Sequence, residues 1–286
     1  MSLTNVHADG VASSLTLPPM PESLQQIRTE QAKAEPDVGR IVSIIAADVG
    51  LAAEVLKTIN SPLFRRKQPL SSVPHAVMLL GLANVLSIVA AVSLRQHMNC
   101  GDNKLSLNRF WDTASDVAFA AAAFARRLSG VSPDVAYTVG LFHDCGIPIL
   151  MCRYADYLDT LKEAEGGAAI TELENSRYGL NHAQVGELVC RRWNLPAEIG
   201  SAILHHHDFA ALVTRDEPAD QQVVSLVALL KMAEHASKAL RGVAFRNNAA
   251  DLEWERLAPL VLGYFDLEPE EFADIKEDVV DMLGQR

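Results

Sequence analysis

One spacing recurs along this chain and limits what it can fold into: apolar residues return every three or four positions. Two of the clearest sets are Val38, Ile41, Val42, Ile45 and Val85, Ile88, Val89, Val92. This spacing lines up apolar side chains along one face of an α-helix. No run shows the strict two-residue alternation that is typical of a half-buried strand. The sequence therefore predicts an all-α fold in which helices pack on helices.

Breaks between the periodic segments indicate two lobes and a C-terminal addition. The polar, turn-rich stretch from Asn99 to Asn103 is the strongest candidate boundary. We expect residues 1–16 to be disordered or extended and residues 17–245 to form one domain. Within that domain, an N-terminal helical lobe would cover 17–100 and a second helical lobe 104–245. Residues 246–286 should form helices that pack on the second lobe.

One long segment, Gln68 to Leu94, contains no Asp, Glu, Lys or Arg and is long enough to raise the question of a membrane span. A spanning helix needs about 20 predominantly apolar residues. Pro69 and Pro74 break the first part of this segment, and Gly81 breaks its middle. We therefore expect two core helices that meet at Gly81, and no membrane association.

The charge balance bears on the partners of the chain. Lys and Arg number 25 against 36 Asp and Glu, which gives a formal net charge of -11. A surface this acidic repels phosphate backbones, so we expect no nucleic-acid partner. It also disfavours an anionic phosphoester substrate, unless a local metal ion provides attraction.

The cysteines show no metal-binding or redox spacing. There are four, and none forms a C-x-x-C pair. Cys145, Cys152 and Cys190 lie in apolar or helical surroundings, so we interpret them as small buried hydrophobic residues. Because residues 1–10 lack the charged and apolar regions of a secretory signal, we expect a reducing cytoplasm.

Histidines near three predicted helix ends form a candidate metal site. His143 and Asp144 are adjacent, His182 follows Asn181, and His206 lies in a run of three histidines. Imidazole and carboxylate groups are suitable ligands for Zn, Mn or Fe, and helices of a bundle can bring such groups together. The sequence thus predicts His143, Asp144, His182 and His206 as candidate ligands.

Each of these residues also has a purely structural explanation. His182 could be a residue at the surface end of a helix. The histidine run could be a solvated helix C-terminus, where the dipole favours positive charge. His143 and Asp144 could form a hydrogen-bonded structural pair that needs no metal. The sequence leaves these alternatives open.

Several motifs in order resemble a known family. The stretch from Gly140 to Gly146, GLFHDCG, resembles the defining motif of the HD superfamily of metal-dependent phosphohydrolases. The surrounding order is similar to the HDOD domain, an HD-related output domain of bacterial signalling proteins. The matching stretches are Leu17–Pro21, Ala47–Leu51, Leu56–Ser61, Ser72–Gly81, Trp111, Asn181–Gly186, Trp193–Pro196 and His206–His207. The resemblance implies a two-lobed helical bundle whose second lobe is HD-like.

Two departures from the HD pattern weaken the implied metal site. An active HD enzyme has a further histidine on the preceding helix, and the position after Trp111 where it should fall is near Thr113. A later helix should supply an aspartate, and Glu234 stands in its place. We therefore expect an incomplete site, which could still bind Mn, Fe, Zn or Mg in an altered geometry.

The resemblance and these departures lead to two functional hypotheses. We favour a non-catalytic bacterial signalling module that binds a signalling protein partner, or a small effector, in the groove between the two lobes. A homodimer is compatible with that role. The alternative is a metal-dependent phosphohydrolase acting on a nucleotide or cyclic dinucleotide, with the metal activating a water molecule. Whether the chain is an enzyme is left open at this point.

Overall fold

The computed structural model describes residues 17–60, 70–97, 104–128, 130–165, 168–215, 219–245 and 251–284. Within these ranges the secondary structure is helical, with connecting turns and no strand. The predicted all-α fold is confirmed. The prediction for residues 1–16 lies outside the described residues, and the predicted domain limits stay a prediction.

The described residues of the N-terminal part form five helices: α1 (Glu22–Gln31), α2 (Val38–Ala47), α3 (Val49–Ile59), α4 (Val73–Leu80) and α5 (Leu82–His97). Asp37 and Asp48 begin α2 and α3, because each side chain accepts a hydrogen bond from a backbone N–H in the first turn. The periodic residues face inward: Ile41 and Ile45 of α2 are fully buried. Helix α5 lies at the centre of this part and contacts α1, α3 and α4.

The charge-free segment contains two helices that meet at Gly81, as predicted. Gly81 has a φ of 85°, a left-handed conformation that glycine adopts without steric cost. The apolar stripe of α5 is buried, with Val85, Ile88 and Val89 at 0% exposure. A different described segment, Pro133–Arg153, is long and apolar enough to cross a membrane by length and composition alone. Inside the protein, 78% of its apolar window is buried, as in a core helix.

The second part begins with the long helix α6 (Lys104–Arg127). It continues with α7 (Pro133–Phe142), α8 (Gly146–Arg153), α9 (Tyr157–Glu165), α10 (Ile170–Tyr178), α11 (His182–Arg192), α12 (Ala197–Leu204), α13 (Phe209–Thr214) and α14 (Gln221–Phe245). Helix α6 packs along α7 and α14, and α7 also contacts α5 of the N-terminal part. Helix α7 is therefore shared between the two parts.

Close backbone approaches bring the helices of the second part together. A Cβ atom on Gly140 of α7 would lie 2.6 Å from the Cα atom of Ala118, so α6 and α7 touch backbone to backbone. A Cβ atom on Gly146, the first residue of α8, would lie 2.1 Å from the carbonyl oxygen of His182. No other residue fits at Gly146 without moving the start of α11, so this contact fixes where α11 begins.

Two helices follow: α15 (Leu252–Tyr264) and α16 (Pro269–Gly284). Asp251 begins α15 by accepting a hydrogen bond from the backbone N–H of Trp254. Both helices contact α14, and α16 also contacts α6. The C-terminal helices thus lie against the second part of the chain.

The structure corrects one sequence-based expectation and excludes one alternative. Cys145 and Cys190 are buried, but Cys152 is exposed on α8, so its interpretation as a buried hydrophobic residue was wrong. Helix α12 ends at Leu204, and His205, His206 and His207 lie in the turn that follows. His206 is completely buried there, which excludes a solvated helix end for this residue. The cytoplasmic location stays a prediction.

Candidate metal centre

Three chain segments meet to form a cluster of imidazole and carboxylate groups. The turn after α7 supplies His143 and Asp144, the start of α11 supplies His182, and the turn after α12 supplies His206 and His207. Asn181 begins α11 through a reciprocal pair of hydrogen bonds with Gln184, which fixes the direction in which the helix starts. Because Gly146 allows α8 to approach α11, the two turns face His182 across a short distance.

Asp144 lies at the centre of the cluster. Its Oδ1 atom is 3.3 Å from Nε2 of His182 and 3.5 Å from Nε2 of His206. Its Oδ2 atom is 3.1 Å from Nε2 of His143. One carboxylate thus contacts three imidazole rings that come from different parts of the sequence.

The imidazole nitrogens also lie close to one another. Nε2 of His182 is 2.9 Å from Nε2 of His207 and 3.4 Å from Nε2 of His206. Asp144, His182, His206 and His207 each offer one ligand atom, and these four atoms all lie within 4.8 Å of one another. Ligand atoms around a tetrahedral zinc ion with bonds of about 2.0–2.1 Å lie about 3.3 Å apart, which is close to the separations seen here.

Hydrogen bonds on the far side of the rings determine which nitrogen carries the proton. Nδ1 of His143 is 2.7 Å from the carbonyl oxygen of Gly140, and Nδ1 of His206 is 2.6 Å from that of Ile203. A backbone carbonyl only accepts hydrogen bonds, so both Nδ1 atoms must donate. In a neutral ring the Nε2 atom then has no hydrogen and presents a lone pair.

His182 is oriented by a buried glutamate. Glu174 of α10 is fully buried, and its carboxylate accepts hydrogen bonds from Nδ1 of His182 at 2.8 Å and from the backbone N–H of His182 at 3.1 Å. The hydroxyl of Tyr157 donates a further hydrogen bond to Glu174. A carboxylate that holds the outer nitrogen of a histidine is the arrangement that accompanies metal-binding histidines.

When the rings are neutral, as metal-binding histidines are, these contacts point lone pairs at lone pairs. Nε2 of His182 and Nε2 of His206 face each other and face the Asp144 carboxylate, which can only accept. Such a group of acceptors is costly unless a proton on an imidazole or a metal ion lies among them. Three imidazoles and one carboxylate fit Zn, Fe or Mn better than Mg, which prefers oxygen ligands. The residues present therefore fit a divalent metal ion.

The pKa values of Asp144 and His182 show the same attraction for positive charge. Burial opposes protonation of His182, but the hydrogen bonds that His182 donates to Asp144 and Glu174 outweigh burial and raise its pKa to about 9. Burial would raise the pKa of Asp144, yet its interactions with His143, His182 and His206 hold that pKa well below its usual range. Burial lowers the pKa of His206 and of His207. The cluster thus stabilises positive charge beside Asp144.

Beside the cluster lies a buried lysine between two glutamates. Nζ of Lys231 on α14 is 2.8 Å from Oε2 of Glu234 and 2.9 Å from Oε1 of Glu253 on α15. Oε1 of Glu234 is 3.6 Å from Nε2 of His143, and Oε1 of Glu253 is 3.7 Å from Nδ1 of His207. Both glutamates therefore link the lysine to the edge of the histidine cluster.

The structure brings three of the four sequence-predicted residues, Asp144, His182 and His206, into the group of close ligand atoms. His143 lies outside that group and contacts Oδ2 of Asp144. Thr113 contributes nothing to the cluster in its described contacts, since its hydroxyl donates to the carbonyl oxygen of Arg109. Sequence reasoning missed His207 as a candidate ligand, although the run of three histidines was a signal for it. It also missed Glu174, which nothing in its local sequence distinguishes.

This chain is all-helical, and a His-Asp pair and further histidines converge at its helix ends. That is the arrangement implied by the resemblance of its motif to the HD superfamily. A family comparison identifies the class more closely, because the model of the HDOD domain matches residues 17–209. The chain belongs to the HDOD domain family. The match covers both helical parts but ends before α14.

Two curated proteins are similar to part of this chain. An uncharacterized protein of Treponema pallidum is 24% identical over 220 residues, which are 76% of this chain and 42% of that protein. Protein YuxH of Bacillus subtilis is 26% identical over 193 residues, 63% of this chain and 44% of that protein. The chain thus spans less than half of the length of these relatives.

Among solved structures, an HDOD domain protein of unknown function from Geobacter sulfurreducens has a TM-score of 0.70 at 23% identity, covering 98% of this chain and 95% of that chain. A protein from Shewanella amazonensis, provisionally named a phosphohydrolase, has a TM-score of 0.70 at 19% identity, covering 99% and 96%. These likenesses show that the fold is shared.

Proposed function

We propose that this chain is a non-catalytic signal-transduction module whose HD-like part binds one divalent metal ion through Asp144, His182, His206 and His207. The observation that carries the metal site is the convergence of acceptor atoms from three separate segments. Membership of the HDOD family supports the regulatory role. A structure from Marinobacter aquaeolei with a TM-score of 0.60, provisionally named a signal transduction protein, has the same fold.

The departures from the HD pattern support a role without turnover. Thr113 stands where an active HD enzyme has a further histidine, and its hydroxyl donates to the carbonyl oxygen of Arg109. Glu234 stands where such an enzyme has an aspartate, and its carboxylate contacts the ammonium of Lys231.

The cleft between the two helical parts is the better place for an effector or a partner segment. It has a volume of about 290 Å³ and is lined by residues of both parts: Glu54, Lys57, Thr58, Val92, Gln96, Ser115, Tyr137 and Leu141. Tyr137 and Leu141 belong to α7, whose C-terminal turn carries His143 and Asp144. Helix α7 lines the cleft and ends at the proposed metal site. A ligand bound in the cleft would therefore affect the metal site through this one helix, and a bound metal would affect the cleft in the same way.

Metal analysis and turnover assays on one preparation test this proposal. The purified chain is stripped with chelator, reloaded with Mn²⁺, Fe²⁺ or Zn²⁺, and dialysed. We expect one equivalent of metal in the wild type and in the exposed-site control Asp156→Asn, and a loss of that metal in Asp144→Asn. Hydrogen exchange should slow in α7 on loading. An absence of bound metal would contradict the proposal.

A second candidate, a metal-dependent phosphohydrolase, is favoured by one observation. The side chain of Asp144 is 28% exposed and that of His207 is 21% exposed, so a bound metal would have one face toward solvent. An open coordination position is the mark of catalytic metal sites. Metal-dependent hydrolysis of a nucleotide or cyclic dinucleotide that Asp144→Asn abolishes, and Asp156→Asn retains, would establish this function instead.

A further inference from the structure

We propose that Lys231 is an internal cation that limits this site to a single metal ion, by holding two carboxylates that would otherwise bind a second one. This inference rests on the metal site of the proposed function. It concerns the two glutamates beside the cluster, which the proposed ligand set leaves out.

The ammonium of Lys231 lies between two carboxylates, a position that a metal cation could also occupy. Lys231 is 3% exposed, and its ammonium lies 2.8 Å from one carboxylate and 2.9 Å from another. Glu234 comes from the same helix one turn later, and Glu253 comes from α15. Burial opposes a charged lysine, but the charges of Glu234 and Glu253 outweigh it and raise the pKa of Lys231.

Both carboxylates are within reach of the histidine cluster on their other side. Glu234 approaches Nε2 of His143 at 3.6 Å, and Glu253 approaches Nδ1 of His207 at 3.7 Å. A carboxylate pair flanked by imidazoles is a suitable ligand set for a divalent ion such as Mn²⁺. The ammonium therefore stands between two metal-binding groups and neutralises one of their two charges.

The neighbouring basic residues form their ion pairs with a different carboxylate. Lys238 and His235 lie on the same helix, but both contact Asp251. The cavity beside Lys231 holds about 10 Å³, roughly the space of one water molecule. An ion together with its hydration water does not fit while the ammonium is present. Removal of the ammonium would leave two partly buried carboxylates without the cation that both contact, which is unfavourable.

Three variants separate the charge of Lys231 from its packing. Lys231→Met keeps the apolar stem but lacks the ammonium. Lys231→Arg keeps the positive charge. The triple variant Lys231→Met, Glu234→Gln, Glu253→Gln lacks all three charges and so tests packing alone. Each protein is stripped, equilibrated with the same free Mn²⁺ concentration and measured by elemental analysis. Electron paramagnetic resonance then reports magnetic coupling between neighbouring Mn²⁺ ions.

We expect one Mn²⁺ per chain in the wild type, Lys231→Arg and the triple variant, and two coupled ions in Lys231→Met. If Lys231→Met fails to fold without metal, millimolar Mn²⁺ should restore its thermal transition. Three results would overturn the inference. They are one bound ion in Lys231→Met, two bound ions in the wild type, or an unfolded Lys231→Met that Mn²⁺ does not restore. A wild type with no bound Mn²⁺ would instead remove the proposed metal site, and this inference with it.

Discussion

Glu174 holds His182 at two points, through the ring nitrogen Nδ1 at 2.8 Å and through the backbone N–H at 3.1 Å. The same carboxylate therefore fixes both the rotation of the ring and the position of the first residue of α11. Because Glu174 is fully buried, this pair is protected from competition by water. The direction of the lone pair of His182 depends on a residue that never reaches the metal site.

Replacement of Glu174 by glutamine should weaken metal binding without removing a ligand. Glutamine keeps the size of the side chain, but its amide no longer favours the protonated Nδ1 as a carboxylate does. Changes to such supporting groups typically cost about 10–100-fold in metal affinity. Titration of stripped protein with Zn²⁺ against a competing chelator measures the loss. Glu172→Gln, an exposed change on the same helix, is the matched control and should bind as the wild type does.

Removal of the imidazole of His207 should lower metal affinity, whereas removal of its neighbour His205 should not. Nε2 of His207 is 2.9 Å from Nε2 of His182, and His205 is absent from the cluster of ligand atoms. We expect His207→Ala to lose at least tenfold in Zn²⁺ affinity in the same titration. Equal affinities for His207→Ala and His205→Ala would show that His207 is not a ligand.

A methyl group at Gly146 should disturb the start of α11. The added Cβ atom would lie 2.1 Å from the carbonyl oxygen of His182, so one of the two helices must move. Overpacking of this kind costs about 1–3 kcal/mol in the free energy of unfolding. Urea denaturation of Gly146→Ala measures it, and Zn²⁺ affinity should fall as well.

Gly263→Ala is the control for that experiment, because a Cβ atom there meets nothing within 4 Å. Gly263 lies within α15, where alanine is the better helix former. This change should leave metal affinity unaltered and raise stability by about 0.5–1 kcal/mol. A Gly146→Ala protein as stable as the wild type would mean that the two helices separate freely.

Stability should depend on pH through Asp251. Burial would raise the pKa of this carboxyl, but hydrogen bonds from His235 and Lys238 outweigh burial and lower it from 3.8 to about 2. A lowered pKa favours the folded state once the pH is above 3.8, and this contribution is lost as the pH falls from about 5 to 2. The shift corresponds to about 2 kcal/mol.

At pH 7 the free energy of unfolding of Asp251→Asn should therefore be about 2 kcal/mol lower than that of the wild type. Because the variant lacks the carboxyl group, this difference should shrink as the pH falls. Urea denaturation at pH 7, 5 and 3 gives the difference curve between the two proteins. Asp281→Asn, an exposed change on α16, should follow the wild type throughout. A difference between Asp251→Asn and wild type that stays constant with pH would show that the effect does not depend on ionisation of Asp251.

Helices and their ends were predictable because their causes are local. Asp37 and Asn181 cap their helices through residues three positions away, and Gly81 separates two helices where the sequence predicted a break. Asp144 was predictable as a candidate ligand because the His-Asp motif is contiguous in sequence. In contrast, the burial of His182 depends on α8 and α10, and no pattern around residue 182 reveals that contact.

The charged residues around the cluster could not be predicted from the sequence, because their contacts also depend on how separate helices pack. Glu174 is one of two glutamates on an unremarkable helix, and only folding shows which of them faces His182. Glu234 was recognised as standing in the place of an aspartate, but its partner Lys231 was not. The hydrogen bond between Lys231 and Glu253 joins residues 22 positions apart on two helices.

Glu253 lies beyond residue 209, where the family match ends, yet it reaches the edge of the histidine cluster. The candidate ligands and the charges that flank them thus lie in different stretches of the chain. The stretch that matches the family model is shorter than the stretch whose folding sets the electrostatics of the cluster. A change confined to the helices after residue 209 would therefore alter the charge around the same candidate ligands.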